Sequence, residues 1–279
     1  VVDEWLWKGE ALYRTGQGRW PALLDPVLQS EKQLWSKFFC YLPMPATGNK
    51  LGVGTFIPPG LRDRVKVPEV LCRSRKLDMP PPEAIPPGKH FIKFNNGSGD
   101  LLRLTFPLNA RDRNLLDRWL AYWRATTPMS RRGEWWYDTF PRKVFIERAI
   151  DADDTIEEWK FQVFNGRCDY IVELHGQTPL RSGVTAYDRD GNHIPVRIAD
   201  RNIGTVRTSL PDFALMLEAA EAIAQRISFA RVDFYRTQAG QIYLGEITLC
   251  PFNTLGTYSD SDFNRRTGEA WNHRSLYER

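Results

Sequence analysis

The sequence predicts an α+β fold rich in antiparallel hairpins, on three observations. Short apolar runs recur after residue 88, and between two of them stands Asn165-Gly166, the residue pair that best suits a two-residue hairpin turn. Two longer stretches space their apolar residues for a helix: Leu115, Leu116, Trp119, Leu120 and Trp123 in one, and Phe213, Met216, Leu217, Ala220, Ile223, Ala224 and Ile227 in the other. Strands and helices do not alternate one for one, so a regular βαβ sheet is not expected.

Composition sets the outer bounds. The 279 residues are 42% apolar and 13% aromatic, enough for a sizeable core and unlike a disordered chain. The net charge of +4 is dispersed, and the densest basic runs, Arg111-Asp112-Arg113 and Arg131-Arg132, are short. A nucleic-acid binder more often shows a basic stripe beside a motif, so nucleic acid is not the expected partner, whereas anionic substrates suit a small basic excess. The four cysteines form no CxxC pair and read as reduced thiols, which points to the cytoplasm. The four histidines are scattered and offer no zinc motif. No apolar run approaches the roughly 20 residues that span a bilayer. The chain opens Val1-Val2, so residues upstream are left open, as is the oligomeric state.

Along the chain, residues 1–88 read as one region rich in Trp and Pro, with a helix over Pro26–Phe39 and an extended connector from Met79 to Gly88. A strand over His90–Phe94 runs into Asn95-Asn96-Gly97-Ser98-Gly99-Asp100. The helix over Asn114–Arg124 is closed by Pro128. Strands follow at Lys143–Arg148, Trp159–Phe164 and Asp169–Leu174, then two more around the turn Asp190-Gly191-Asn192. Ser209-Leu210-Pro211 opens the second helix, and the chain then forms a hairpin from Ala230–Arg236 and Gln241–Leu249.

That hairpin carries the first chemical signal. With Ala239-Gly240 as its two-residue loop, Asp233 falls opposite Glu246 and Arg231 opposite Thr248. The other face sets Ala230, Val232 and Phe234 against Leu249, Ile247 and Gly245, and is apolar. Opposed side chains in a hairpin have Cβ atoms roughly 4.5–5.5 Å apart. Two carboxylates at that range repel unless a cation lies between them, and Mg²⁺ prefers oxygen ligands. An exposed face on which Arg231 simply pairs with Asp233 accounts for the same residues, and a bulge would move the register. The second signal is Lys93, which ends a strand just ahead of Asn96-Gly97-Ser98-Gly99. Small residues let backbone N–H groups approach phosphate oxygens, and the lysine adds a charge. The same four residues would also serve as an ordinary turn.

Together these segments resemble the ATP-grasp superfamily, and within it the TupA-like branch associated with teichuronopeptide and other cell-surface polysaccharide synthesis. His90–Gly99 is similar to that family's lysine strand and phosphate loop. Trp135-Trp136-Tyr137 through Val144–Arg148 resembles the approach to its inter-lobe hinge, so Glu147, Arg148, Ala149 and Ile150 would meet adenine and ribose. Trp159–Gly166 resembles a hairpin of the branch, with Lys160 as a phosphate contact. Ala230–Phe234 with Ile242–Thr248 resembles the paired metal strands, in which Asp233, Glu246 and Thr248 would hold Mg²⁺ and Arg231 would steady the reaction's anions. Ser30-Glu31-Lys32 resembles an earlier nucleotide-contacting segment, although Lys32 would equally serve as a solvated helix residue. Thr248 stands where many members carry Asn, and Cys250-Pro251-Phe252-Asn253 lacks the glycines expected after the proline.

The resemblance implies a fold of two α+β lobes clamping ATP, with a reduced N-terminal region at 1–88, a small lobe at 89–150 and a large lobe at 151–279. It implies an ATP- and Mg²⁺-dependent carboxylate–amine ligase that works through an acyl phosphate on a small-molecule carboxylate and amine, with an acidic sugar or glycan precursor among the candidates. A kinase acting on a sugar hydroxyl and a non-catalytic nucleotide-binding component of polysaccharide assembly are the competing readings.

Overall fold

In the computed structural model of the protein, two sheets organise the chain; the residues described are 2–39, 47–75, 78–96, 101–125, 134–150, 156–175, 183–199, 201–254 and 256–273. The smaller sheet has four antiparallel strands in the order β2 (Val70–Ser74), β5 (Val144–Arg148), β3 (Gly88–Phe94), β4 (Leu101–Phe106). Strict alternation on β3 and β4 turns Ile92, Phe94, Leu102, Leu104 and Phe106 to one face, where they pack with Leu116, Leu120 and Trp123 of helix α3 (Ala110–Ala125). Lys93 and Phe91 alternate to the face away from α3.

The larger sheet has seven strands. Their order is β1 (Val65–Lys66), β11 (Ile242–Thr248), β10 (Phe229–Arg236), β6 (Glu157–Phe164), β7 (Arg167–His175), β8 (Gly183–Asp188) and β9 (His193–Ile194). Asn165 and Gly166 both take positive φ, 48° and 79°, as the primed turn joining β6 to β7 demands. One face of this sheet packs on helix α4 (Phe213–Ala224), whose Met216, Ala219, Ala220, Ile223 and Ala224 are buried against Trp159, Phe161, Val232 and Phe234. The opposite face carries an apolar cluster towards one end, where the rings of Phe164, Phe229 and Trp271 lie 5.1–5.9 Å apart and Val172, Val184 and Ala186 extend it over β7 and β8. That end joins Phe263 of helix α5 (Ser261–Glu269).

Residues 1–88 contribute to both sheets, through β1 beside β11 and β2 beside β5. Helix α1 (Val2–Gln17) leads to helix α2 (Gln29–Phe39), which packs on α5. The joint is polar: the Glu31 carboxylate accepts the backbone N–H groups of Ala22, Val27 and Leu28 and pairs with Arg19. Burial raises the Glu31 pKa and these donors more than reverse it, leaving the carboxyl below its usual range.

The C-terminal hairpin departs from the expected two-residue loop. Thr237 N–H donates to Gln241 O, and Gly240 N–H to Thr237 O, closing a three-residue loop that ends on Gly240 at φ 80°. The extra residue shifts the pairing by one, so Phe234 faces Leu244 rather than Gly245. A bulge at Gly245 then removes the shift, and Asp233 faces Glu246 with Arg231 facing Thr248. Glycine is needed there because a Cβ would run into the Tyr235 ring.

Candidate active site

The half of the large sheet's outer face that is not apolar carries a row of ionisable groups across three strands. Lys160 on β6 lies directly opposite Asp233 on β10, which lies opposite Glu246 on β11. Arg231 forks onto Asp233 through Nε and Nη2, each 2.7 Å from a carboxylate oxygen, and Nη2 reaches Thr248 Oγ1 at 3.1 Å. Lys160 Nζ donates to Asp233 Oδ2 at 2.8 Å and to Glu158 Oε1 at 2.5 Å. Thr248 Oγ1 donates to Glu246 Oε1 at 3.0 Å. Lys50 Nζ stands 3.7 Å from Glu246 Oε2.

Asp233 is only 2% exposed, so this is a buried charge network and not a solvated face. Burial alone would raise the Asp233 pKa, but Arg231 and Lys160 outweigh it and hold the carboxyl below the usual range. Glu246 is also depressed: burial raises it, Lys50 is the largest opposing influence, and the like charge of Asp233 works against Lys50. Burial disfavours the Arg231 cation, and Asp233 more than offsets that. Tyr235 lies on the same face. Burial first, then the charges of Glu158, Asp233, Glu246 and Glu147, push its phenol well above the usual value and keep it neutral.

On the small sheet, Lys93 pairs with Glu147 of β5. Asn96 Nδ2 donates to Tyr137 O at 3.2 Å. Arg148 turns outward to Glu69 at 2.6 Å, Ala149 N–H donates to Lys89 O, and Ile150 is half-buried. Gly97, Ser98 and Gly99 lie outside the described residues. Lys32 is not brought to this group. Its amine donates to Gly268 O at 2.7 Å and Trp271 O at 2.8 Å at the joint of α2 with α5, because the first turn of α2 packs where α5 ends and leaves carbonyls to satisfy. Lys50 and Glu158 were not evident from the sequence. Glu158 had a signal, since it alternates to the same face as Lys160, but Lys50 sits in a segment without periodicity.

The depressed carboxylates set a pH dependence. Their folded pKa values lie below the unfolded values of about 3.9 and 4.3, so the stability they contribute is present above those values and is lost as pH falls through the folded ones. Glu173 runs the other way. Burial raises its pKa against the pull of Arg207, so its contribution is lost as pH rises. Urea unfolding of wild type against Glu246→Gln isolates the site. The stability gap between them is expected to shrink from pH 7 to pH 3, and a constant gap would contradict the charge network.

A family model for TupA-like ATPgrasp domains matches residues 87–272. The chain belongs to the TupA-like ATP-grasp family. Among solved structures it is similar to the D-alanine–D-alanine ligase from Bacillus anthracis, at 14% identity and TM-score 0.44, over 79% of this chain and 59% of that one. It is also similar to the VanG D-Ala:D-Ser ligase from Enterococcus faecalis, at 12% identity and TM-score 0.43, over 80% of this chain and 55% of that one. The chain thus spans less than two thirds of either ligase. No curated protein matches the sequence. The ATP-grasp fold agrees with the α+β expectation, and no described helix of this family member is long and apolar enough to cross a membrane.

Proposed function

We propose that this TupA-like ATP-grasp protein is an ATP-dependent carboxylate–amine ligase. The observation that carries the reading is the row Lys160–Asp233–Glu246, with Arg231 bridging Asp233 to Thr248. Two carboxylates and a hydroxyl suit Mg²⁺, which takes one or two carboxylates, keeps waters and completes its shell with substrate phosphates. No group of three or more His, Cys, Asp or Glu side chains placed for a metal occurs among the described residues.

In this reading Asp233, Glu246 and Thr248 hold magnesium, which when bound neutralises the charge of the phosphate oxygens. Lys93, Lys160, Asn96 and the segment Gly97–Gly99 hold the triphosphate, and Glu147 to Ile150 meet adenine and ribose. A carboxylate oxygen of the substrate attacks the γ-phosphorus and ADP leaves. An amine nitrogen then attacks the acyl carbon, inorganic phosphate leaves, and the nitrogen loses a proton. These residues act by positioning and charge neutralisation, and Arg231 offsets the developing oxyanion. The three expected regions, 1–88, 89–150 and 151–279, remain our division of the chain. An acidic sugar or glycan precursor and an amino acid are the proposed substrates, and the cytoplasm the proposed location, by the resemblance to the branch.

The test is magnesium-dependent ADP release from ATP with acidic sugars and amino acids in pairs, with products weighed by mass spectrometry. ADP formed only with both partners, one per amide, is expected. A stable phosphoester formed without amine would make it a kinase, and nucleotide binding without ADP a scaffold. Glu246→Gln is expected to lower ADP formation by about 100-fold. Its side chain is 21% exposed, so circular dichroism should not change. Undiminished turnover in that variant would remove Glu246 from the metal site.

A further inference from the structure

We infer that the chain has a second ligand site, in a cleft between the α1–α2 connection and the start of α5, and that it takes a neutral saccharide. The cleft measures about 680 Å³, within the roughly 300–1,000 Å³ of small-molecule sites. Gln17, Arg19 and Asp25 line one side, and Tyr258, Asp262 and Arg265 the other. No residue of the carboxylate row lines it. The first side also lies outside the matched residues 87–272, so a nucleotide site does not account for it. The inference does not depend on ATP binding.

The walls are fixed where they meet the fold. The Gln17 amide donates to Thr254 O at 3.2 Å and Gly256 O at 2.7 Å, which ties the end of α1 to the segment after β11. Arg19 is held by Glu31, whose carboxylate already takes three backbone N–H groups. The Tyr258 hydroxyl is engaged inward, with the Tyr170 hydroxyl at 3.0 Å and Gln29 Oε1 at 3.2 Å, so its ring is what it offers a ligand. Asp25, Asp262 and Arg265 remain, with side chains that have no partner among the described residues. Two acceptors and one donor of opposite charge select the ligand. A phosphate or carboxylate needs donors and is repelled by the acidic excess, and a metal ion needs acceptors and is repelled by Arg265. Each hydroxyl of a sugar both donates and accepts, so a neutral saccharide uses both kinds of group. Val27 and Leu28, with the Tyr258 ring, supply apolar wall for the C–H faces of its rings.

The experiment screens labelled wild-type protein on an array of neutral and acidic glycans, then measures the best neutral binder by calorimetry against wild type, Asp25→Ala and Arg265→Ala. Wild type is expected to bind neutral glycans, and each substitution to weaken that binding about tenfold or more. Saturating Mg·AMP-PCP is expected to leave the affinity unchanged, because no wall residue belongs to the carboxylate row. Binding of no glycan, or of acidic glycans alone, would overturn the inference. Tighter binding of glycine, offered as a free zwitterion, would overturn the ligand class. Undiminished glycan binding in both variants, or displacement by Mg·AMP-PCP, would place the glycan elsewhere and overturn the site. Asp25 and Arg265 are both exposed, and a thermal unfolding midpoint for each variant shows that the comparison is made on folded protein.

Discussion

Asp233→Asn is expected to destabilise the fold by about 3–5 kcal/mol as well as to abolish magnesium-dependent ADP formation. A carboxylate on a polar face would be replaced with little structural cost, and the sequence alone supports that milder outcome. The structure reverses it. Asp233 is 2% exposed and accepts three charge-assisted hydrogen bonds, two from Arg231 and one from Lys160. Removing its charge leaves a guanidinium and an ammonium close together, both largely shielded from water, with Glu158 and Glu246 among the described residues to offset them in part. Breaking a buried pair from one side costs far more than the pair contributes, because the stranded charge is desolvated and unpaired. Urea unfolding of the variant at pH 7 measures it. A loss under about 1 kcal/mol would mean that water reaches Arg231 and Lys160 freely. Glu246→Gln is the milder partner, since Glu246 is the more exposed carboxylate and Lys50 the more distant cation. The pair therefore separates the metal role from the structural one.

The hairpin shows how much was legible in the sequence and why. Alternation placed Asp233 and Glu246 on one face because side-chain period in a strand is fixed at two. Their opposition was also read correctly, but from a loop that does not exist. The three-residue loop at Gln238–Gly240 and the bulge at Gly245 each shift the register by one, in opposite senses, and cancel between the turn and Asp233. The turn depends on the positive φ of Gly240 and the bulge on the missing Cβ of Gly245, and neither glycine declares its role in a linear string. The same limit hid Lys50. Its place at the site follows from the Asn49–Asn95 contact, 46 residues apart in the chain, and no periodicity marks either asparagine. Lys32 failed for the complementary reason. A lysine on an amphipathic helix can serve a ligand, solvent or a neighbouring helix end, and only packing decides among them.

The joint that claimed Lys32 yields the second large effect. Gly268→Ala is expected to lower stability by about 3 kcal/mol, with Tm falling by roughly 6 °C or more. A Cβ at Gly268 would meet Val27 O, Gln29 N at 2.6 Å and Leu28 C at 2.8 Å, all backbone atoms at the start of α2 that no rotamer change can move aside. Relief requires α5 to back away from α2. That motion strains the bonds sharing the joint: Ser30 N–H to Asn264 Oδ1 at 3.2 Å, and the Lys32 amine to Gly268 O and Trp271 O. Lys32→Ala should then reproduce part of the stability loss by taking a charged donor from Trp271 O and from Gly268 O, the second of which keeps the Trp271 N–H at 3.0 Å. It should not change the affinity for Mg·AMP-PCP, because the amine is spent on α5 and not on the carboxylate row. A Lys32→Ala variant of normal stability and weakened nucleotide binding would return Lys32 to the site. A stable Gly268→Ala variant would show that the α2–α5 contact is looser than the backbone distances imply.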